Sequence, residues 1–266
     1  MSQAIDLRAH RGVPNGAFDA LGARLSALAT LTAADRFLIA SLAAQRQAQP
    51  AGAEICGDGR RMPRLMLSGW ACRQRELPDG RRQIFEFILP GDLIWPGPRQ
   101  RPLALAVTVA LTSVATADAR ALAAVAAEPQ HAGLMAAIET SAALEEIFLL
   151  DHLVRIGRQT AYERTGHLLL ELHWRLGLAG LVRGSRFSMP LTQEILADAL
   201  GLSVVHMNRT LQHLRREGLI RLQCGELELL DVAALARIAD YTPPLLAPTK
   251  DGPAGMQRGA FPARMR

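Results

Sequence analysis

Apolar residues along the chain switch from helical spacing to strand-like alternation and back. Leu21, Leu25 and Leu28, then Phe37, Leu38 and Leu42, recur at helical intervals. The interval breaks at Thr30 to Thr32, which predicts a pair of short helices within Ala20 to Gln47. Pro50, Gly52, Gly57 and Gly59 end helical structure. From Leu65 to Ala117 the pattern predicts strands: Leu65 to Arg73, Ile84 to Leu89 and Val107 to Ala115. Asp79-Gly80 supplies the tight turn between the first two, and Pro90-Gly91-Asp92 ends the second. Short strands at this spacing point to a small β-roll. Asp118 is placed to cap a short helix over Ala119 to Ala127.

Pro129 suits the first turn of a long helix running to about Ile156. Its apolar positions, among them Leu134, Ile138, Leu144, Ile147, Phe148 and Leu150, spread over more than one face. Such a helix packs against two bodies, here the roll and a twin helix of a second copy; an ordinary buried core helix is the alternative. Leu134, Ile138, Ile147 and Phe148 are the candidate dimer contacts. Gly157 is placed as a hinge. Thr160 to Leu176 is amphipathic, with Leu168, Leu169, Leu172 and Leu176 on one side. A polar loop, Gly180 to Ser188, follows.

The segment PLTQEILADALGLSVVHMNRTLQHLRREGLI, residues 190–220, predicts two short helices joined by a tight turn. Thr192 and Ser203 are N-cap residues, whose hydroxyls accept bonds from otherwise unpaired backbone N–H groups. Leu191 with Leu196, and Leu202 with Met207, fit hydrophobic staples. Gly201 takes the left-handed position of the turn. Leu219 to Leu222 and Leu227 to Leu230 predict a hairpin wing, and Asp231 caps a last helix over Val232 to Asp240. The second helix then offers Val204, Val205, His206, Asn208 and Arg209 to base edges in a major groove. Arg209 suits guanine, Asn208 adenine, and the valines thymine methyl groups. Thr192, Gln193 and Ser203 suit backbone phosphates.

Composition agrees with this reading without deciding it. The formal net charge is +5 over 266 residues and the sequence pI is about 9.8, a mild basic excess that favours a polyanion. Almost all of it is arginine, which suits phosphate and guanine, although a GC-rich genome gives the same bias. Cys56, Cys72 and Cys224 lie far apart, with no metal-ligand spacing and no disulfide framework. Cys72, on a strand, reads as a small core residue. His167 and His173 share a helix without an obvious partner. No Gly-x-Ser-x-Gly motif, phosphate loop or paired acid is present, which speaks against an enzyme. No signal-peptide core or membrane-length apolar run occurs, so a cytoplasmic protein is expected.

Over roughly residues 20–240 the chain resembles the Crp/Fnr family of bacterial regulators. The residues that carry the resemblance are 190–220 and LSGWACRQRELPDGRRQIFEFILPGDLI, residues 67–94. The resemblance implies an α+β chain: an N-terminal, jelly-roll-like, cyclic-nucleotide-binding-like β-roll, a long dimerisation helix and a C-terminal winged helix-turn-helix. The corresponding divisions are a flexible lead (1–18), the roll (19–128), the helix (129–157), the reading domain (158–241) and a disordered tail (242–266).

Departures from the family matter for the signal. Cyclic AMP binders carry Gly-Glu where Trp95 and Pro96 stand, and Arg-Ser where Ala104 and Leu105 stand. Arg99 and Arg101 are the nearby substitutes. Residues 1–50 hold no cysteine for an iron–sulfur cluster; His131 and His152 flank or lie on the long helix, where a lone histidine is more often structural or exposed than a haem ligand. No cofactor is therefore expected: not cyclic AMP, an iron–sulfur cluster or haem. Many relatives carry glutamate where Val205 stands, whereas Arg209 keeps the guanine-reading place. The expected function is sequence-specific binding of double-stranded DNA at an inverted repeat by a homodimer, acting on transcription with RNA polymerase as a partner. The alternative is a small-molecule or stress sensor acting mainly through a protein contact.

Overall fold

Two corners give the N-terminal domain its shape. In a computed structural model of the protein, which describes residues 16–55, 63–94, 106–125 and 128–246, the expected strand Leu65 to Arg73 is two strands, β3 (Arg64–Ser68) and β4 (Ala71–Glu76). Between them Gly69 has φ +85, and a Cβ there would sit 2.3 Å from the Ser113 carbonyl oxygen. Only glycine allows both the conformation and the approach. The stretch Val107 to Ala115 divides likewise, into β7 (Val107–Ala110) and β8 (Val114–Asp118). The Trp70 carbonyl accepts from Leu111 N and Thr112 N, and Trp70 N donates to Thr112 Oγ1, so the two corners brace each other. Alternation of apolar residues runs straight through both corners, which is why it predicts single strands.

Each corner sends its two strands into different sheets. With β1 (Gln47–Gln49), β2 (Glu54–Ile55), β5 (Arg82–Ile88) and β6 (Leu93–Ile94), the roll has two antiparallel sheets. Their orders are β1-β8-β3-β6 and β2-β7-β4-β5. Ile55, Met66, Ala71, Ile88, Ile94, Ala110 and Val114 form the core between them. β4 and β5 form the hairpin expected at Asp79-Gly80. The Cys72 thiol is buried on β4, and burial pushes it up to about 12.

Helices cover one side of the roll. α1 (Gly16–Leu28) and α2 (Ala33–Ala44) are the expected pair, but α1 starts within the stretch expected as a flexible lead, residues 16–18 being helical. Thr32 and Asp35 form a capping box at the start of α2, and Asp35 Oδ1 also bonds His131 Nδ1 at 2.7 Å. His131 ends a 3-10 turn beginning at Pro129, and α4 (Ala132–Arg158) follows; α3 (Arg120–Val125) precedes them. Leu134 and Leu144 face α1, α2 and β3. Phe148 meets Trp174 edge to face, with ring centroids 5.9 Å apart, and the Arg175 guanidinium lies over its ring.

The C-terminal domain comprises α5 (Ala161–Leu178), β9 (Val182–Arg183), β10 (Arg186–Ser188), α6 (Gln193–Leu200), α7 (Val204–Arg216), β11 (Ile220–Gln223), β12 (Glu226–Leu229) and α8 (Val232–Ile238). The stretch expected as a polar loop is therefore a hairpin, whose β10 pairs with β12. Gly157 lies within the last turn of α4, not at a hinge. The junction is Gln159 and Thr160, both extended. The cysteine Cys56, the positions Trp95, Pro96, Arg99, Arg101, Ala104 and Leu105, the first fifteen residues and those after 246 lie outside the described residues.

A buried charge cluster joins the two domains. Asp92, in the turn before β6, pairs Arg24 of α1 at 2.7 Å and Arg175 of α5 at 2.8 Å, and accepts from Leu89 N. Arg175 also holds Glu171, which pairs Arg155 of α4; Arg155 donates on to His167 Nδ1. Burial, then the neighbouring Arg155, lowers His152 and His167 to about 4. Burial, then the carboxylates of Glu86 and Asp92, raises Glu145 of α4 to about 7.

Asp92→Ala strands the buried Arg24 and leaves Arg175 only Glu171 and the Phe87 carbonyl, so urea denaturation should show a loss of about 3–5 kcal/mol; a loss below about 1 kcal/mol would contradict the role given to Asp92. Glu145 has a raised folded pKa. The stability it contributes is complete below the unfolded value of 4.5 and is lost as pH rises through about 7. Glu145→Gln should therefore match the wild type at pH 4 and exceed it at pH 8 by up to about 3 kcal/mol. A difference independent of pH would refute this account.

Candidate nucleic-acid interface

The reading unit is built from local rules. Thr192 Oγ1 accepts from Ile195 N at 3.2 Å, and Ser203 Oγ accepts from His206 N at 3.2 Å, so both N-caps form. Each hydroxyl keeps its own proton to donate to a phosphate. Gly201 has φ +61 and ends α6 in the left-handed conformation. Leu196, Leu200, Met207, Leu211 and Leu214 are buried beneath, with Leu202 partly covered. These contacts hold α6 and α7 as one body.

α7 is sharply two-sided. Met207, Thr210, Leu211 and Leu214 point inward, while Val204, Val205, His206 and Arg209 are exposed and Asn208 is half-buried. Val204 and Val205 are 47% and 61% exposed. This exposed β-branched pair adds nothing to the core beneath α7. Thr192 is exposed and Gln193 half-buried at the N-terminus of α6, where backbone N–H groups favour an anion. The expected base-reading and phosphate residues thus share the N-terminal ends of α6 and α7.

The wing follows. β11 and β12 join through Cys224 (φ 51) and Gly225 (φ 76), the backbone of a two-residue type I′ turn. Arg186 and Arg221 both pair with Glu228. The Arg186 hydrogen bond, aided by both arginine charges, holds the Glu228 carboxyl below its usual range. Sequence reading missed Arg186 because it lies in the stretch taken for a loop, and with it the carboxylate it shares with Arg221.

Two contacts tie the unit to its surroundings without local sequence signals. Arg164 of α5 donates to the Leu200 carbonyl at 2.8 Å and to the Gln159 carbonyl, linking the turn of the reading unit to the junction. Arg82 of β5 binds Asp198 of α6.

Residues 163–238 match the model of the Crp-like helix-turn-helix domain. The chain is 34% identical to the nitrogen fixation regulation protein FixK of Bradyrhizobium diazoefficiens over 176 residues, which cover 65% of this chain and 72% of that protein. FixK of Azorhizobium caulinodans is 33% identical over 177 residues, with 65% and 70% covered. The chain belongs to the Crp/Fnr family of transcriptional regulators. It is a DNA-binding regulator of that type. Among solved structures, FixK2 of Bradyrhizobium japonicum superposes with a TM-score of 0.60 at 23% identity, over 74% of this chain and 98% of that one. The roll, long helix and winged helix-turn-helix expected from the family resemblance are the observed Crp/Fnr architecture.

The candidate dimer residues divide. Ile147 is 41% exposed on α4, and Ile138 is half-buried against its own roll. Leu134 and Phe148 are buried within their own chain and do not reach a partner surface, which corrects the expectation for both. The open face instead carries Ala143, Ile147, Leu150 and Val154, with Leu149 and Leu153 beside them. The four-three-four spacing of the first four was present in the sequence, but broad apolarity of the helix hid it. His131, one histidine considered for haem, is committed to Asp35. No helix among the described residues is long and apolar enough to cross a membrane.

Proposed function

We propose that the protein binds an inverted-repeat operator as a homodimer joined along α4, each reading head placing the start of α7 in a major groove. The observation that carries this reading is the pair of exposed faces. One is the polar and β-branched start of α7. The other is the apolar stripe of Ala143, Ile147, Leu150 and Val154 on α4. Recurrence at four and three residues is the pattern of a two-helix seam. A twofold dimer reads half-sites about one helical turn apart, roughly 34 Å.

In this reading Arg209 bridges guanine O6 and N7, Asn208 and His206 address neighbouring edges, and Val204 and Val205 meet thymine methyls. Thr192, Gln193 and Ser203 hold phosphates. Valine in place of glutamate at 205 removes an acceptor for cytosine, so the half-site keeps the guanine contact and differs beside it. The reading includes action in the cytoplasm with RNA polymerase, and a roll that uses no cyclic AMP, iron–sulfur cluster or haem. Its support on that last point is the residue choice at Trp95, Pro96, Ala104 and Leu105, the absence of cysteine from residues 1–50, and the engagement of His131 by Asp35.

Selection from random duplexes followed by titration tests the reading head. Arg209→Ala should cost about 1–3 kcal/mol on the selected site and relax one base position. An equal loss on random DNA would leave Arg209 a phosphate contact only. Leu150→Asp places a charge in the α4 seam, and sedimentation should show a monomer that retains the wild-type circular dichroism. A dimer surviving that substitution would exclude the seam.

A further inference from the structure

The covalent link between α4 and the reading head is short and extended, consisting of Gln159 and Thr160. Gln159 Nε2 on the Ala239 carbonyl, Arg164 on the Gln159 carbonyl and the buried Arg155–Glu171 and Arg175–Asp92 pairs restrain this link, and the direction in which α7 faces depends also on what grips the head beyond them. The β4–β5 hairpin grips it. Arg82 Nε and Nη2 donate to one carboxylate oxygen of Asp198 at 2.8 and 2.6 Å, and Gln83 Nε2 donates to the Ala199 carbonyl at 3.3 Å. Beneath them Trp70, Cys72, Ile84 and Phe87 share one apolar core with Leu168 and Leu200 of the reading head. Further in, Arg175 reaches the Phe87 carbonyl and Asp92.

These contacts do different things. Apolar burial is non-directional and attaches the head without setting its angle. A guanidinium bound through two N–H groups to a carboxylate is directional. Both partners stand on regular elements, β5 and α6, and the Arg82 and Asp198 side chains are 29% and 23% exposed. The ion pair is therefore accessible to substitution without opening the buried cluster around Asp92. The grip leaves the reading face open, since Val204, Val205, His206 and Arg209 stay exposed. It orients the face and does not mask it.

We propose that the Arg82–Asp198 ion pair is an orienting clasp that sets the half-site spacing the dimer accepts, with both residues acting as positioning residues for DNA reading. The proposal rests on the homodimer reading above. In a dimer, each head's angle on its roll sets the separation of the two α7 helices. A displacement of about 3.4 Å moves a helix by one base step. A clasped head holds one spacing, and an unclasped head, still anchored by the buried Arg175–Asp92 and Arg155–Glu171 pairs, shifts in angle about that anchor and tolerates neighbouring spacings.

The test uses the full chain and duplexes carrying the selected half-site as inverted repeats, with the spacing altered by one and two base pairs in each direction. A single half-site duplex serves as the control. Wild type should prefer one spacing. Arg82→Asp and Asp198→Arg should each flatten that preference by about threefold to tenfold, with half-site affinity unchanged. The double variant, with the charges exchanged, should restore it. Arg82→Gln, which puts no anion beside Asp198, should flatten it partly and gives a second route if a charge reversal fails to fold. Folded single variants with the wild-type spacing profile would overturn the clasp. So would a folded double variant that stays flattened. A flat profile in the wild type, with the repeat still bound more tightly than the single half-site, would also overturn the clasp, whereas equal affinity for repeat and half-site would remove the dimer reading on which the proposal stands.

Discussion

One carboxylate holds the architecture together. Asp92 meets Arg24 from the first helix and Arg175 from the first helix of the reading domain, while its own turn binds it through Leu89 N. Three parts of the chain distant in sequence thus converge on a side chain almost removed from water. Two buried guanidiniums cannot shed their charge, so each requires an anion at close range. The turn can supply one only if the helices stay where they are. Gly91 belongs to the same constraint: its φ is +94, and a Cβ there would sit 2.5 Å from Arg24 Cδ.

From this point charge spreads in a chain, from Asp92 to Arg175, Glu171, Arg155 and His167. Arg155 belongs to α4, Glu171 and Arg175 to α5, and Asp92 to the roll. The long helix, the reading domain and the roll are therefore coupled by alternating charges as well as by apolar contact. His167 accepts from Arg155 through Nδ1, so its proton resides on Nε2. Its depressed basicity keeps it neutral, which spares the site a further positive charge.

What was legible in the sequence was what depends on near neighbours. Thr192, Gly201, Ser203 and Asp231 declare their roles within three or four residues, and all four occupy the expected caps or turn. The Asp79-Gly80 hairpin was legible for the same reason. The corners at Gly69 and at Leu111 to Ser113 were not, because alternation does not register a change of sheet. Nor was the inward turn of Leu134 and Phe148, which depends on which side of α4 the roll occupies. Arg82 with Asp198 and Arg175 with Asp92 are 116 and 83 residues apart. A charged residue gives no sign in its own neighbourhood of so distant a partner.

The core shared by the β4–β5 hairpin and the reading head bears on how such proteins diversify. A helix-turn-helix is often regarded as an exchangeable cassette. Here Trp70, Ile84 and Phe87 are buried in the same cluster as Leu168, Leu196 and Leu200. A head transplanted from a relative would meet apolar residues selected for another surface, and its own would lie bare on a foreign roll. Divergence of the roll and the helix-turn-helix half is therefore constrained to proceed jointly along this boundary. The outward residues of α7 carry no such debt, and they can change one side chain at a time without disturbing the shared core.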